Sequence, residues 1–492
     1  MTVHDLYLLS PEIALAGIGG LVVLLDLVVR RKGVLPAVAL AGLLLPAALS
    51  VLLWSDVSNG GQLAGIFDTL AVDKFALFFK FLVLSVVAMV ILGSADYASR
   101  FQRYQGEFYA LVLFSASGMM LLASATELVS LYVSLELTSL PLAALAAFLR
   151  DERSSEAGLK FLILSGLSSA LLLYGMVLVY ASTGTTQISE IAQAVTAGDM
   201  PFGAYGILGG VVLIVAGFGF KISMFPFQMW APDVYEGAPT PITAYLSVAS
   251  KAAGFAVLLR VVYTAFGPVS QDWSMLFAIL SALSMTVGNL AAMGQSNVKR
   301  LLAYSTVAHA GYILVGLAAI AARQPVGSEG LGLGGVLFYL GAYAATNLAA
   351  FFAIIAISNR TGSYQIDSLA GMGRKAPFVS AVLAIALVSL IGIPPTAGFM
   401  GKLYLFNAAV HADLVWLALV GVVNSVVSAY YYLRVLKALY VAPGEETAAS
   451  ATSMPVRAVV AVCGFAVLFL GVFPGPLLRL AGAAVSALLP VG

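Results

Sequence analysis

The fold class predicted from the sequence is an all-α polytopic membrane protein with about 14 transmembrane helices, built around an inverted internal repeat with broken helices 7 and 12. Three observations carry that prediction. Of the 492 residues, 61% are hydrophobic and only 10% are charged, against roughly 25% charged in a soluble chain. Apolar runs of about 20 residues, long enough to cross a hydrocarbon core, recur from end to end. Finally, Gly217-Phe218-Gly219-Phe220-Lys221 and Gly398-Phe399-Met400-Gly401-Lys402 share the spacing G-F-x-x-K, and prolines lie close to both: Pro226, and Pro394 with Pro395.

Hydropathy places segment starts near Pro11, Val34, Lys74, Glu107, Thr126, Ala157, Ala204, Thr240, Trp273, Asn297, Leu331, Ala376, Asp413 and Pro455. Continuous runs such as LVLSVVAMVILG argue against a β-barrel, whose strands would alternate. The two G-F-x-x-K stretches fall in the seventh and twelfth segments, an odd number apart, so they cross the membrane in opposite directions. Proline-interrupted segments in matching positions of two halves point to an inverted-repeat transporter with its sites at the breaks. Loose backbone survives at membrane depth only where protein or water satisfies it.

Charge placement gives the orientation. With the N-terminus outside, most of the 24 basic residues fall on inner loops, among them Arg30, Arg31, Lys32, Arg103, Arg150, Lys299, Arg374 and Arg434. The outer side keeps Lys74, Arg323 and Arg479, so the positive-inside rule puts both termini outside. All four tryptophans, Trp54, Trp230, Trp273 and Trp416, fall near segment ends, where interfacial aromatic belts are expected. The opening MTVHDLYLLSPE has no basic n-region, so no cleavable signal peptide is expected.

Composition also excludes several chemistries. One cysteine and three histidines are too few and too scattered for an iron–sulfur cluster or haem, so no redox centre is expected on this chain. Cys463 reads as a packing residue. Gly330-Leu-Gly-Leu-Gly-Gly335 matches GxGxxG by letters but follows no strand, and Asn359-Arg-Thr361 is a sequon on the inner side; both are set aside. A net charge of +1 is no sign of a nucleic-acid partner, and none is expected; the lipid bilayer is.

The remaining charges lie within segments: Lys80, Lys160, Lys221, Lys251, Arg260, Lys402 and, among acids, Glu136 alone deep in a span. Each buried charge costs about 2.5–3.5 kcal/mol on insertion scales, so several together demand a function. Lys251 and Lys402 sit near mid-span, where an amine cannot reach the interface. Lys221 and Lys160 could snorkel instead, and Glu136 could be a structural ion-pair partner. Lys80 and Arg260 are expected to anchor at the interface. His309 is a candidate proton relay, since imidazole titrates near neutrality, or a packing residue.

A row of amines suits protons better than metal cations, which want several oxygen ligands. A buried amine keeps or gives up its proton according to whether a carboxylate lies near it, so a Glu136–Lys221 separation that changes would act as a switch.

These residues sit in SLELTSLPLAAL, GLKFLILSGLSSALLLYG, FKISMFPFQMWAPDVYEGAPTPITAYLSVASKAAGF, NVKRLLAYSTVAHAGYILVG and GIPPTAGFMGKLYLF. Together they resemble the antiporter-like membrane subunits of respiratory complex I, most of all the NADH-quinone oxidoreductase subunit N family. The resemblance spans essentially the whole chain. It implies an N-terminal three-helix segment (1–105), two inverted five-helix repeats (106–270, helices 4–8, and 271–442, helices 9–13) and a C-terminal helix 14 (443–492). It makes Glu136 the helix-5 glutamate, Lys221 its partner on helix 7, Lys251 the central helix-8 lysine, Lys160 the helix-6 lysine and Lys402 the helix-12 lysine. Where the family usually reads P-F-H-x-W, this chain has Gln228, which cannot titrate.

The resemblance further implies a bacterial inner-membrane enzyme that passes protons. FMN, iron–sulfur clusters and quinone would lie in partner subunits, and K- and M-type subunits would be neighbours. The alternatives at this stage are a multisubunit cation/proton antiporter and a non-pumping structural subunit.

Overall fold

The computed structural model describes residues 3–60, 63–65, 68–101, 104–197, 203–266, 270–322, 330–443 and 452–488. Arg103 and Arg323, two of the residues used for orientation, lie outside them. Thirteen helices among these residues are long and apolar enough to cross a membrane. They are α1 (Ser10–Val28), α2 (Val34–Val57), α3 (Lys74–Ser94), α4 (Gln105–Ser124), α5 (Leu128–Ala146), α6 (Glu152–Thr183), α7 (Tyr205–Ile222), α8 (Thr240–Ala265), α9 (Trp273–Met293), α10 (Val298–Ile320), α11 (Leu331–Thr361), then α13 (Val415–Tyr440) and α14 (Met454–Val472). The remaining predicted crossing is split into α12a (Pro377–Ile391) and α12b (Ala397–His411), each too short alone.

Helix starts are written locally. The side chains of Asp73, Glu127, Asp151 and Asn297 accept hydrogen bonds from the first free main-chain N–H groups of α3, α5, α6 and α10. Gly184 and Gly362, at φ 75° and 69°, close α6 and α11 in the left-handed conformation. An antiparallel hairpin, β1 (Leu63–Gly65) with β2 (Leu70–Val72), joins α2 to α3.

Helices α8, α10 and α11 form the centre, buried along almost their whole length, whereas α1, α2, α6, α13 and α14 keep broad exposed faces. A helix apolar on every side must be wrapped by others. The candidate lysine Lys251 therefore rides on the most enclosed helix of the bundle.

The tryptophan expectation needs correction. Trp230 and Trp273 are buried, and Trp230 Nε1 donates to the Phe220 carbonyl at 2.9 Å, closing the end of α7. Nearness to a segment end along the chain does not place a ring at the lipid interface once the segment is central. Cys463 is buried in packing, as expected.

Candidate functional site

The site begins at Lys251. Residues Leu246–Ser250 form a π-turn in the middle of α8, immediately before the lysine. Such a turn inserts one residue and frees local backbone, and it recurs at functional positions. Lys251 is 2% exposed, and its Nζ donates to the Thr306 carbonyl of α10 at 2.9 Å. Sequence reading missed this bulge because no proline or glycine marks it.

Helix α10 carries the connection onward. Thr306, His309 and Tyr312 recur every third residue and so share one face. His309 is buried between two phenols: Nδ1 lies 2.6 Å from the Tyr339 hydroxyl and Nε2 lies 3.3 Å from that of Tyr432. Tyr432 also bonds Ser305. The Tyr312 hydroxyl lies 3.3 Å from Ser425 Oγ, which in turn accepts from Lys402 Nζ at 3.0 Å.

Lys402 is held by the break itself. Its Nζ donates to the Leu390 and Ile391 carbonyls at 3.1 and 2.9 Å, the last turn of α12a, which has no helical donors left. The negative end of that helix dipole also favours a cation. Gly392, at φ 92°, ends α12a, and a Cβ there would stand 3.0 Å from Lys402 Cδ, so the missing side chain makes room for the lysine stem. The Tyr312 ring lies under the amine, 4.1 Å to its centroid.

The shared glycine of the two G-F-x-x-K stretches has a packing reason. A Cβ on Gly217 would lie 2.6 Å from Leu172 Cβ on α6, and one on Gly398 would lie 1.9 Å from the Ser389 carbonyl on α12a. In each case the glycine lets one helix approach a neighbour one turn before the lysine.

Lys221 is 3% exposed and donates to Ser139 Oγ on α5 at 2.8 Å. Its stem packs on Gly254 of α8, where a Cβ would meet Lys221 Cγ at 3.2 Å. A cavity of about 10 Å³, near the size that admits one water, lies against it, lined by Ser139, Ser165, Ser168 and Ser169. Glu136 lies one turn before Ser139 and is half-buried on α5; its Oε1 is buried without a hydrogen-bond partner among the described residues. Among the described residues it makes no ion pair with Lys221, whose amine is held by Ser139 of the same helix α5. Three predicted residues, Lys251, His309 and Lys402, thus line up along α10, while Lys221 packs on α8 at Gly254 and Glu136 lies one turn from its partner Ser139.

Lys160 is not part of this file. Its side chain is 40% exposed and pairs with Glu156 Oε1 at 2.7 Å and Asp233 Oδ2 at 2.8 Å. Arg300 Nη1 reaches Asp233 Oδ1 at 2.8 Å and Glu236 Oε2 at 2.9 Å. Burial alone would raise the Asp233 carboxyl, but hydrogen bonds from Lys160 and Arg300 outweigh it and hold the group below the usual carboxylate range. Lys299, assigned to a loop by sequence, is buried there, donating to the Glu236 and Ala238 carbonyls at 2.7 and 2.9 Å. The network joins the helix Trp230–Gly237, just after the α7 break, to the starts of α6 and α10. Gln228 sits at that break, its Oε1 buried without a hydrogen-bond partner among the described residues.

Two further expectations are overturned. Arg260 does not snorkel: it is buried and grips Asp73 with both terminal nitrogens, 2.9 and 3.0 Å, while Nε donates to the Ala123 carbonyl at 3.1 Å. Lys80 does not anchor at an interface either; it is 1% exposed and lies 2.7 Å from Glu12 Oε1. Glu136 is accordingly not the one enclosed acid of the spans, since Glu12 and Asp26 are buried on α1. Their partners come from other segments, which a hydropathy scan of single segments does not see.

Residues 125–428 match the family model described as NADH:quinone oxidoreductase/Mrp antiporter, TM. A protein of Dehalococcoides mccartyi named NADH-quinone oxidoreductase subunit N is 43% identical over 483 residues, covering 96% of this chain and 98% of its own. Among solved structures, a chain of respiratory complex I from Thermus thermophilus superposes with a TM-score of 0.77 at 34% identity, covering 95% of this chain and 98% of that one. A chain of the Mrp complex from Dietzia superposes at 0.84 with 22% identity, over 99% and 98% respectively, and shares the fold.

Proposed function

The chain belongs to the NADH:quinone oxidoreductase/Mrp antiporter membrane family, with relatives of the subunit N type, and on that premise we propose that it passes protons along Glu136, Lys221, Lys251, His309 and Lys402. It works as a subunit of a proton-translocating NADH:quinone oxidoreductase. NADH oxidation and quinone reduction, with FMN and iron–sulfur clusters, belong to partner subunits, and K- and M-type membrane subunits flank it. The home of the assembly is the bacterial inner membrane, with both termini outside, as the placement of basic residues argues.

The observation that carries the reading is the contact of Lys251 Nζ with the Thr306 carbonyl, which joins α8 to the polar face of α10. Along the same face, His309 lies at hydrogen-bond range of Tyr339 and Tyr432, and one turn further Tyr312 connects through Ser425 to Lys402. Ammonium and imidazole groups exchange protons, and hydroxyls between them can pass one by donating on one side and accepting on the other. At Lys221, Ser139 and the serine-lined cavity supply the same means, with space for one water.

Glu136 supplies the control. Its carboxylate stands near Lys221 without touching it, so a small shift of α5 changes which group holds the proton. Because Glu136 lies on a half-exposed helix face, a neighbouring subunit can bias that shift. The Asp233–Arg300 network ties the α7 break to α10, so a movement at Lys221 is felt in the second half of the chain.

The test is proton uptake by the assembled, reconstituted complex carrying Lys251→Met. Loss of pumping with assembly retained supports the reading. Unchanged pumping makes this a structural subunit whose charges only hold helices together.

A further inference from the structure

A second group of buried charges lies outside the file, near the end of the bundle that carries the N-terminus. Four groups from three helices and one cap meet there: Glu12 on α1, Lys80 on α3, Arg260 on α8 and Asp73 at the start of α3. The two pairs they form differ. Arg260 and Asp73 are fully engaged: two guanidinium nitrogens bind the carboxylate, the third nitrogen binds a carbonyl, and Asp73 Oδ1 also caps α3 by accepting from the Ala76 N–H at 2.7 Å. In that pair every guanidinium nitrogen and both carboxylate oxygens are engaged.

Glu12 and Lys80 are left incomplete. Lys80 Nζ is 2.7 Å from Glu12 Oε1 as an ion pair, but neither Glu12 oxygen has a hydrogen-bond partner of good geometry among the described residues, although Glu12 is only 3% exposed. A buried carboxylate oxygen without a partner is costly, and such groups in native proteins are satisfied by ordered water where there is space. Space exists. A cavity of about 10 Å³ is bounded by Leu8, Leu9, Glu12, Leu70, Val72, Lys80 and Ser124. Leu8, Leu9 and strand β2 line it at that end of the bundle, with Ser124 adding a hydroxyl from α4. Ser117 of α4 fixes α1 beside it by donating to the Glu12 carbonyl at 3.2 Å.

We propose that Glu12, Lys80 and a water in the adjoining cavity form a second proton-exchange site of this subunit, distinct from the Glu136-to-Lys402 file. The proposal rests on the proton-passing function. In the ionised pair the proton sits on Lys80. Its transfer to Glu12 Oε1 leaves a neutral amine and a neutral acid; rotation of the carboxyl group turns that proton toward the cavity, where the water accepts it, forming hydronium and restoring the carboxylate. A second proton taken up by the amine resets the pair. Helix α3 packs against the π-turn that precedes Lys251, so a shift at Lys251 reaches Lys80 through the helix that bears it.

The experiment uses the assembled complex in vesicles, with Glu12→Gln, the neutral double replacement Glu12→Gln/Lys80→Met, and Lys251→Met in parallel. A structural pair tolerates joint neutralisation, because no charge is left unpaired; a proton-exchange site does not. We expect the double variant to assemble yet lose proton pumping, with NADH oxidation by an artificial acceptor retained. Pumping by the double variant at the unaltered level, with loss in Lys251→Met, overturns this proposal alone. Survival of pumping in Lys251→Met overturns the parent function and this site with it. Radiolytic hydroxyl labelling of the unaltered complex tests the required water independently of assembly. Modification of the buried Leu8 well above that of Leu77, its neighbour in the same apolar cluster, is expected from water in the cavity; equal protection of both means a dry cavity and overturns the site.

Discussion

Lys251 Nζ donates to the main-chain carbonyl of Thr306, 2.9 Å away, and so links α8 of the first half of the chain to α10 of the second at the most enclosed level of the bundle. A carbonyl accepts from an ammonium group or a neutral amine alike, so the bond holds the side chain in place without fixing its charge. Residues three and six positions further along α10, His309 and Tyr312, continue the polar face toward Lys402.

Replacement of Lys251 by alanine is expected to abolish coupled proton pumping while leaving the Arg260–Asp73 clamp on the same helix intact. Proton uptake by the reconstituted complex, with subunit content checked on a native gel, measures it. Pumping at the unaltered level removes Lys251 from the path.

At Glu136 the carboxylate matters more than the length of its side chain. Turnover in Glu136→Asp is therefore expected to stay well above that in Glu136→Ala. Equal rates from the two variants would take the residue out of the switch.

Gly398→Ala is expected to disturb both stability and turnover. Its Cβ would press on the Ser389 carbonyl, forcing α12b away from α12a at a cost of about 1–3 kcal/mol and displacing Lys402 from the Leu390 and Ile391 carbonyls. A lowered melting temperature of the complex together with reduced pumping is the expected pair of readings. Normal values of both contradict this packing account.

Asp233 gives a pH dependence with a definite sign. Its carboxyl is held below the usual range, so the group favours the folded state above the unfolded pKa of about 4, and that contribution is lost as pH falls through the lower folded value. Melting curves of the unaltered complex and Asp233→Asn are expected to differ near neutrality and converge below about pH 4. A gap that persists undiminished in acid assigns the effect to something other than the carboxylate charge.

Removing Arg260 strands Asp73 in a buried position. Arg260→Ala is expected to destabilise the subunit by about 3–5 kcal/mol, the range for breaking one side of a buried ion pair. Assembly yield and thermal denaturation report it, and a mild effect would restore the interface-anchor reading drawn from sequence.

Much of this protein was legible in the chain. Segment lengths, the charge asymmetry of the loops and the prolines at the two breaks follow from the hydrocarbon thickness and from backbone groups that lipid cannot satisfy. The same logic singled out Lys251 and Lys402, because an amine at mid-span has no cheap place to go. Residues nearer segment ends were harder. Lys160, Lys80 and Arg260 look alike by depth, yet one lies in a half-exposed network and two lie in enclosed pairs with Glu12 and Asp73.

By itself the sequence determined which segments cross and where helices must break, since those depend on local hydrophobicity and backbone chemistry. Only the tertiary structure decided which charges meet. Ion pairing, the π-turn before Lys251 and the unsatisfied carboxylate of Glu12 depend on which faces of distant helices are turned toward one another. That choice is made by packing across the whole bundle, and no single segment encodes it.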